Sequence, residues 1–502
     1  MDVGAVVDVI ANARIAGEGR ELMPLALVEP DAPYDVFLRN GRILDIAPAG
    51  YARHEGAVLD AEGAWLVPGL WDHHVHLRQW ALSQARPSVA HAHSAEEAAA
   101  FAARHAPGDD GRRVLQHWRE GLWAVPASLE ALDATTGEVP TYLLGADSHS
   151  VWMNSAAFRR EGLAADPSGV LREGPAFATI VAVNAVSDAT ANRAVATAAS
   201  AAAGRGVVGV CDLEFGAELH AWRERASAGW QALRVHVAIY PDHLDEAIAA
   251  GLRTGDPLDE GGLVRLGVLK VLADGSLGTR TAWTSGAYAD DPHHHGGHNV
   301  SPDEMTRLVV RAAAAGIATT IHAIGDLTNA AALDAFARAG VPGRIEHAQL
   351  VTAPDVRRFA HLGVAASVQP QHAMDDRELT EHHWGAHAAI PYPLRSFRDA
   401  GVQLLFGSDA PVAPLDPWIG MAAAVFRTDD DREPWRPDQA VDVRTALAAS
   451  TAGGSTEPQT IEPGAPADLA IVGHDPIAAD RDTLRAMPVH ATILGGRLTH
   501  LA

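Results

Sequence analysis

The chain has 502 residues, 47% of them hydrophobic, and a formal net charge of −24. This length allows one large domain with a smaller one, and no apolar run approaches the roughly 20 residues of a membrane-spanning helix. The negative charge and the lack of a basic stripe argue against nucleic acid as a partner, because phosphate backbones would be repelled. We therefore expect a soluble protein that binds neither nucleic acid nor membrane.

The N-terminus lacks the basic start and apolar stretch of a secretory signal. The one cysteine, Cys211, cannot form a disulfide within the chain, which is consistent with a reducing compartment. We predict a cytoplasmic protein.

Short strand-like segments open the chain, and Asn40-Gly41 between two of them is a strong hairpin signal. The last residues alternate in the same way around Gly495-Gly496. We therefore predict that the two ends, 1–67 and 455–502, come together as one small discontinuous β-sandwich.

Buried strand-like runs alternate with helical patterns between these ends. Eight such runs predict an α/β fold, a (β/α)8 TIM-like barrel over 68–454, with a doubly wound sheet as the alternative. One helix pattern begins at Ser301 and stops at Gly316. The long segment of about 78–200 between the first two runs predicts an insertion that borders the active site.

Histidines and one aspartate recur where the predicted barrel strands end. His74 and His76 are two residues apart, so their side chains lie on one side of an extended strand. His322, His347 and Asp409 close the fifth, sixth and eighth strands, whose carboxyl ends meet at one rim of a barrel. Four imidazoles and a carboxylate suit zinc or a similar divalent ion. The alternative is a set of buried histidines paired within the barrel.

Lys270, in the predicted fourth strand, is the only lysine of the chain, and arginine supplies the rest of its 39 lysine and arginine residues. A lysine amine can lose its proton, whereas guanidinium stays charged. The free amine can react with carbon dioxide, and the resulting carbamate can offer one oxygen to each of two metal ions. We predict a carboxylated lysine at Lys270 that bridges two divalent ions, with zinc as the expected metal. The alternative is that one lysine survived by chance.

Eight motifs occur in order along the chain: VPGLWDHHVHL, GADSHSVWMNS, KVLADGSLGTRTAW, HAIGD, RIEHAQ, SVQPQH, FGSDAPV and GAPADLAI. Together they resemble the metal-dependent amidohydrolase superfamily, in its amidohydrolase-3 branch. The resemblance implies the barrel, the split sandwich and a metal centre held by His74, His76, Lys270, His322, His347 and Asp409. Three residues depart from the family pattern: His73, Leu327 and Ala465.

The expected activity is hydrolysis of a non-peptide amide or related C–N bond in a small-molecule substrate. A hydroxide that bridges two metal ions attacks a polarised carbonyl, and Asp409 serves as the general base. Hydrolysis of an ester, lactone or carbamate is the enzymatic alternative. A catalytically silent binding or regulatory protein on this scaffold is the alternative from another class. A homodimer is a candidate assembly.

A second group of polar and aromatic residues is predicted to contact substrate: His149, Trp152, Asn154, Asp274, Arg280, Gln369 and His372. Packing of the insertion and a simple Asp274–Arg280 ion pair are the alternatives. Glu173 is a weaker candidate that could reach in from the insertion. The histidine-rich run His293–His298 is interpreted as a lid-like loop beside the pocket.

Overall fold

The structure is a computed structural model that describes residues 1–16, 32–84, 86–119, 123–385 and 387–502. The described strands are β1 (Val9–Ile15), β2 (Tyr34–Arg39), β3 (Arg42–Pro48), β4 (Val58–Asp60), β5 (Trp65–Pro68), β6 (Leu70–Val75), β7 (Arg113–Trp118), β8 (Thr141–Gly145), β9 (Ser150–Met153), β10 (Val170–Arg172), β11 (Val207–Asp212), β12 (Arg234–Ile239), β13 (Val264–Leu272), β14 (Thr319–Ala323), β15 (Arg344–His347), β16 (Leu350–Val351), β17 (Ala365–Val368), β18 (Ile390–Pro391), β19 (Leu404–Phe406), β20 (Leu469–Val472), β21 (Val489–Leu494) and β22 (Arg497–Leu501).

The described helices are α1 (Leu77–Ser83), α2 (Ala95–Ala103), α3 (Leu129–Thr136), α4 (Ser155–Glu161), α5 (Gly174–Val183), α6 (Asp188–Ala203), α7 (Glu218–Ser227), α8 (Pro241–Ala249), α9 (Pro302–Ala314), α10 (Asp326–Ala339), α11 (Ala353–Leu362), α12 (His372–Asp375), α13 (Arg377–Trp384), α14 (Leu394–Asp399), α15 (Pro417–Phe426), α16 (Val443–Ala449) and α17 (Arg481–Arg485), with a short 3-10 turn at Pro437–Gln439. None of these helices is long and apolar enough to cross a membrane. Helix α9 follows the predicted Ser301, whose side chain caps the amide of Glu304.

Eight parallel strands form the barrel, in the order β6, β11, β12, β13, β14, β15, β17 and β19. The last strand returns to the first, because the Asp409 amide donates to the His74 carbonyl at 2.7 Å and the His76 amide donates to the Ala410 carbonyl at 2.9 Å. The predicted barrel is therefore confirmed, and the doubly wound alternative is not observed. Closure also brings the carboxyl ends of all eight strands to one rim.

A separate eight-stranded sheet joins both ends of the chain, with β5 between β1 and β20. Its core includes Ile10, Val36, Leu66 and Ile471. Asn40 and Gly41 both adopt positive φ between β2 and β3, as the predicted tight hairpin turn requires. The prediction that the two ends share one β structure is confirmed, whereas the domain limits at 67 and 455 stay predictions.

Gly69 is the only residue between β5 of this sheet and β6 of the barrel. Its amide donates to the Asp468 carbonyl at 2.8 Å, and a Cβ at this position would lie 2.5 Å from the Val208 side chain. A side chain larger than hydrogen would push the strands apart. The terminal sheet is thus joined tightly to the strand that carries His74.

The insertion after α1 contains a four-stranded sheet with the order β10, β9, β8 and β7. Leu143, Trp118 and Trp152 pack together on one side of it with helices α2 and α3. The loop between β8 and β9 carries His149 toward the barrel rim, where its ring centroid lies 5.5 Å from that of His322. The insertion therefore contributes a wall to the mouth of the barrel.

Candidate metal centre

His74, His76 and Asp409 place one ligand atom each within 4.8 Å of one another. Nε2 of His74 lies 3.2 Å from Oδ1 of Asp409, and Nε2 of His76 lies 3.4 Å from the same oxygen. All three residues are buried. His74 and His76, predicted to lie on one side of the first barrel strand, thus form one compact group with Asp409, predicted at the end of the eighth strand.

A second group on the same rim consists of His347, His372 and Asp409, again within 4.8 Å. The ring of His322 lies beside it, with its centroid 4.4 Å from that of His347. Asp409 belongs to both groups, as a carboxylate shared by two neighbouring ions would. His372, predicted to contact substrate, lies among the candidate ligands.

Lys270 ends in the same buried space. It is 1% exposed, and its Nζ has no hydrogen-bond partner among the described residues. Burial lowers the pKa of Lys270 to about 8, although Glu346 and Asp409 oppose this shift. An amine with a depressed pKa is a better nucleophile near neutral pH.

Three imidazoles of the centre, those of His74, His322 and His347, are held in the neutral form that donates a lone pair to a metal. Burial lowers the pKa of His74 to about 4, with help from the charge of Lys270. Burial also holds the pKa values of His322 and His347 well below the usual range. For Asp409, burial raises the pKa, but His74 and His76 outweigh it and keep the carboxylate charged.

Glu346 and Arg344 support this group from within the barrel and were not singled out from the sequence. Oε2 of Glu346 accepts a hydrogen bond from Nδ1 of His74 at 2.8 Å, and Oε1 accepts bonds from Thr320 and Arg344 at 2.6 Å. Burial opposes the charge of Glu346, but Arg344 and His74 keep its pKa well below its usual range. The sequence did offer a signal for these two residues, because two charged residues within the buried strand RIEH are unusual.

His149 lines the pocket above the candidate metal centre, and its predicted contact with substrate stays a prediction. Its Nδ1 donates to Oε2 of Glu173 at 3.1 Å. Burial disfavours a charged ring here, but the Glu173 carboxylate outweighs it and raises the pKa of His149 to about 9. The hydroxyl of Thr281 also donates to Glu173, at 2.6 Å. The structure thus brings together a charged pair that includes the weaker candidate Glu173.

Trp152 and Asn154 do not face this pocket. Trp152 is fully buried and donates from Nε1 to the Ser128 carbonyl at 3.2 Å. Asn154 is also fully buried, and its side chain caps α4 and binds main-chain groups that include the Thr141 amide. These bonds use both side chains for packing of the insertion, so the prediction of substrate contact is corrected for both.

Asp274 and Arg280 are separated by the turn between them. Asp274 is fully buried and accepts hydrogen bonds from the amides of Ile324 and Gly325. Arg280 instead forms a surface ion pair with Asp290 at 3.3 Å. Neither side chain lines the pocket, so their predicted substrate contacts are corrected, and the alternative Asp274–Arg280 ion pair is not observed.

Gln369 lies below the rim, where its Nε2 is 3.2 Å from Nδ1 of His74. It does not line the pocket, which corrects its predicted contact with substrate. Gln349 lines the pocket in its place, and its Oε1 is buried without a hydrogen-bond partner among the described residues. Gln349 is the last residue of the RIEHAQ motif, two positions after His347, and this closeness to a candidate ligand could have identified it from the sequence.

The histidine-rich run packs as a loop beside the barrel mouth. Nε2 of His294 lies 2.7 Å from the Arg280 carbonyl, and Nδ1 of His295 lies 3.1 Å from the Thr284 carbonyl. His293 and His298 are exposed. Contacts of this loop with main-chain carbonyls agree with its interpretation as a loop rather than a ligand cluster.

The family model described as "Amidohydrolase family" matches residues 57–500, which covers the barrel, the insertion and the strands β4, β5, β20, β21 and nearly all of β22 of the terminal sheet. The chain belongs to the amidohydrolase family. Membership of this family supports a hydrolase.

Similar proteins align with this amidohydrolase-family chain over 82% to 94% of its length. N-substituted formamide deformylase of Arthrobacter pascens is 28% identical, with 93% of this chain and 94% of the relative covered. Protein LONG AFTER FAR-RED 3 of Arabidopsis thaliana is 26% identical, with 82% and 78% covered. Among solved structures, an uncharacterized metal-dependent hydrolase from Pyrococcus horikoshii has a TM-score of 0.78 at 24% identity, with 94% and 99% covered. That likeness shows the shared fold.

The residues of this amidohydrolase-family centre fit divalent ions. Nδ1 of His347, Nε2 of His372 and Nζ of Lys270 are buried without hydrogen-bond partners in the described part of the chain. Three such atoms around a shared carboxylate would be costly in a dry site. Coordination of borderline divalent ions would satisfy such a set.

Proposed function

We propose that this amidohydrolase-family protein is a binuclear hydrolase that cleaves a non-peptide amide or related C–N bond of a small molecule. The observation that carries the proposal is the buried amine of Lys270, which has no hydrogen-bond partner among the described residues and lies in the same site as two histidine groups that share Asp409. A permanent ammonium ion would repel metal ions, whereas a carbamate formed from Lys270 and carbon dioxide would bridge them. One proton leaves the amine when its nitrogen bonds to the carbon of carbon dioxide.

The two ions, with zinc as the proposed metal, would be held by His74, His76, His322, His347, Asp409 and carboxylated Lys270. When bound, they supply an activated water and a Lewis acid for the substrate carbonyl. Nε2 of His372 lies 3.9 Å from Oδ2 of Asp409, which is beyond hydrogen-bond distance.

Asp409 is the proposed general base. Its Oδ1 faces both histidines of the first strand, which leaves Oδ2 nearer the pocket side of His372. Asp409 stays ionised in the folded protein, so this oxygen can take a proton from water and return it to the leaving nitrogen.

His149 and Gln349 are proposed to orient the substrate. The Glu173 carboxylate holds His149 as an imidazolium, which can donate a hydrogen bond to a carbonyl oxygen that gains negative charge. Gln349 offers an amide with an unused Oε1 in the same pocket, where it can accept a hydrogen bond from a substrate N–H. An ester lacks that N–H, so this contact favours an amide.

The similarity to N-substituted formamide deformylase also supports a C–N bond as the target. The single cysteine supports the proposal of a cytoplasmic location.

Paired substrates and metal analysis test this function. Metal content is measured on the purified protein, and hydrolysis is compared across aryl amides, formamides, esters and carbamates with matched groups. We expect two metal ions per chain and the highest kcat/KM on an amide or formamide. Preference for esters or carbamates would overturn the C–N assignment, and a metal-free protein without turnover would indicate a binding or regulatory role.

A further inference from the structure

A second cluster of ligand-type side chains lies outside the barrel mouth. Asp290, His382 and His383 each place one ligand atom within 4.8 Å of the others. None of the six residues proposed to hold the catalytic ions takes part. We propose that this cluster is a peripheral Zn2+ site that fastens the 284–299 loop to α13.

The three side chains come from the two segments that the ion would join. Asp290 lies in the loop, whereas His382 and His383 lie in the last turn of α13. Nε2 of His382 is 3.0 Å from Oδ1 of Asp290. The two imidazole rings are adjacent, with centroids 4.6 Å apart. A metal ion that replaced the His382–Asp290 hydrogen bond would need little movement of either segment.

His383 has an unused ring nitrogen. The residue is 8% exposed, and its Nδ1 is buried without a hydrogen-bond partner among the described residues. Burial lowers the pKa of His383 to about 4, and the adjacent His382 adds to this effect. This ring nitrogen can therefore coordinate a metal without giving up an existing hydrogen bond.

Two imidazoles and one carboxylate favour a borderline ion such as Zn2+ over Mg2+ or Ca2+, which prefer oxygen ligands. Arg280 approaches Oδ2 of Asp290 at 3.3 Å and competes with the ion for its charge. Both partners of this ion pair are about half exposed, so the pair is weak and leaves Oδ1 available. With three protein ligands, water would complete the coordination, and we expect weaker binding than at the catalytic centre.

The loop and α13 already pack against each other beneath the cluster. Tyr288 of the loop and Trp384 of α13 belong to one hydrophobic cluster with Leu277 and Ile324, and Leu379 packs against it. Leu277, Ile324 and Leu379 also line the pocket over the catalytic centre. An ion at the peripheral site would therefore stiffen one wall of that pocket. Binding of the ion itself does not depend on the proposed activity.

The test uses the full chain with its catalytic metals loaded. The protein is transferred to zinc-free buffer and titrated with Zn2+ alone near neutral pH, and bound metal per chain and melting temperature are measured. His382→Asn removes one ligand, and His293→Asn is the matched control, an exposed histidine of the same loop outside the cluster. Wild type and His293→Asn should each bind one more equivalent of Zn2+ than His382→Asn does. Addition of Zn2+ should raise the melting temperatures of wild type and His293→Asn but not that of His382→Asn.

Arg280→Gln gives a test of opposite sign, because loss of the competing cation should tighten Zn2+ binding about twofold or more. An anomalous peak at the three side chains in a zinc-soaked crystal would support the site directly. The proposal is overturned if wild type takes up no ion beyond its catalytic metals, or if His382→Asn binds Zn2+ as wild type does. An unchanged catalytic metal content in His382→Asn shows that the variant is folded.

Discussion

Nδ1 of His74 donates a 2.8 Å hydrogen bond to Oε2 of Glu346, and both side chains are buried. Because Glu346 stays ionised, this bond fixes the tautomer of His74 and leaves the lone pair of Nε2 free on the side of Asp409. A carboxylate behind a histidine ligand orients the ring and strengthens its basicity.

Glu346→Gln should therefore weaken metal retention about 10- to 100-fold. The neutral amide binds His74 less strongly and leaves Arg344 without its charge partner. Residual metal is measured after dialysis against a graded series of chelator concentrations, with the surface substitution Glu304→Gln as control. Equal retention by Glu346→Gln and wild type would contradict the orienting role.

Lys270→Arg should abolish binding of the metal pair and activity, because guanidinium keeps its charge and cannot form a carbamate. Lys270→Ala should lose the same functions but regain part of its metal content when a short-chain carboxylic acid is added. Metal per chain and hydrolysis rate are both measured. Full metal content and activity in Lys270→Arg would rule out the carbamate bridge.

Glu173→Gln should lower kcat about tenfold or more without changing metal content, because His149 then lacks the carboxylate that keeps it charged. His149→Gln should cause an equal or larger loss. Thr135→Ser, on the surface of the insertion, is the control. A fall in metal content would place the pair in support of the metal centre rather than in contact with substrate.

Asp212 should make folding stability depend on pH. Burial, with the charges of Glu218 and Glu214, raises the pKa of Asp212 to about 7, whereas an unfolded aspartate has a pKa of about 3.9. The folded state thus binds the proton more tightly, so this contribution to stability is full below about pH 4 and is lost as pH rises toward about 7.

The free energy of unfolding of Asp212→Asn minus that of wild type should therefore become more positive over this pH range, by roughly 1 kcal/mol per pH unit. The difference between their melting temperatures should rise with it. Taking the difference removes the pH dependence of metal binding common to both proteins. The exposed Asp242→Asn serves as control. A difference that stays constant with pH would show that Asp212 does not titrate as expected.

The sequence was most informative where a short-range pattern coincides with a barrel strand. His74 and His76 needed only the two-residue repeat of a strand, and His322, His347 and Asp409 needed only the ends of three further strands, because closure of a barrel brings such ends together.

Residues outside the strands were harder to predict because their roles depend on contacts distant in sequence. Asp274 is occupied by the amides of Ile324 and Gly325, about fifty positions away, and nothing local to its turn indicates this. Trp152 and His149 lie in one motif, but the sheet of the insertion turns one toward the core and the other toward the pocket. Spacing alone does not reveal that choice.

The pairing of β5 with β20 has a consequence for synthesis of the chain. Strand β5 leaves the ribosome early, yet its partner β20 begins only at Leu469. His74 and His76 follow β5 directly, after Gly69. A nascent chain that stops short of Leu469 would contain every barrel strand, but its β5 would be paired with β1 alone. We therefore expect the terminal sheet next to the candidate ligands His74 and His76 to be completed last, although these two residues are among the earliest made.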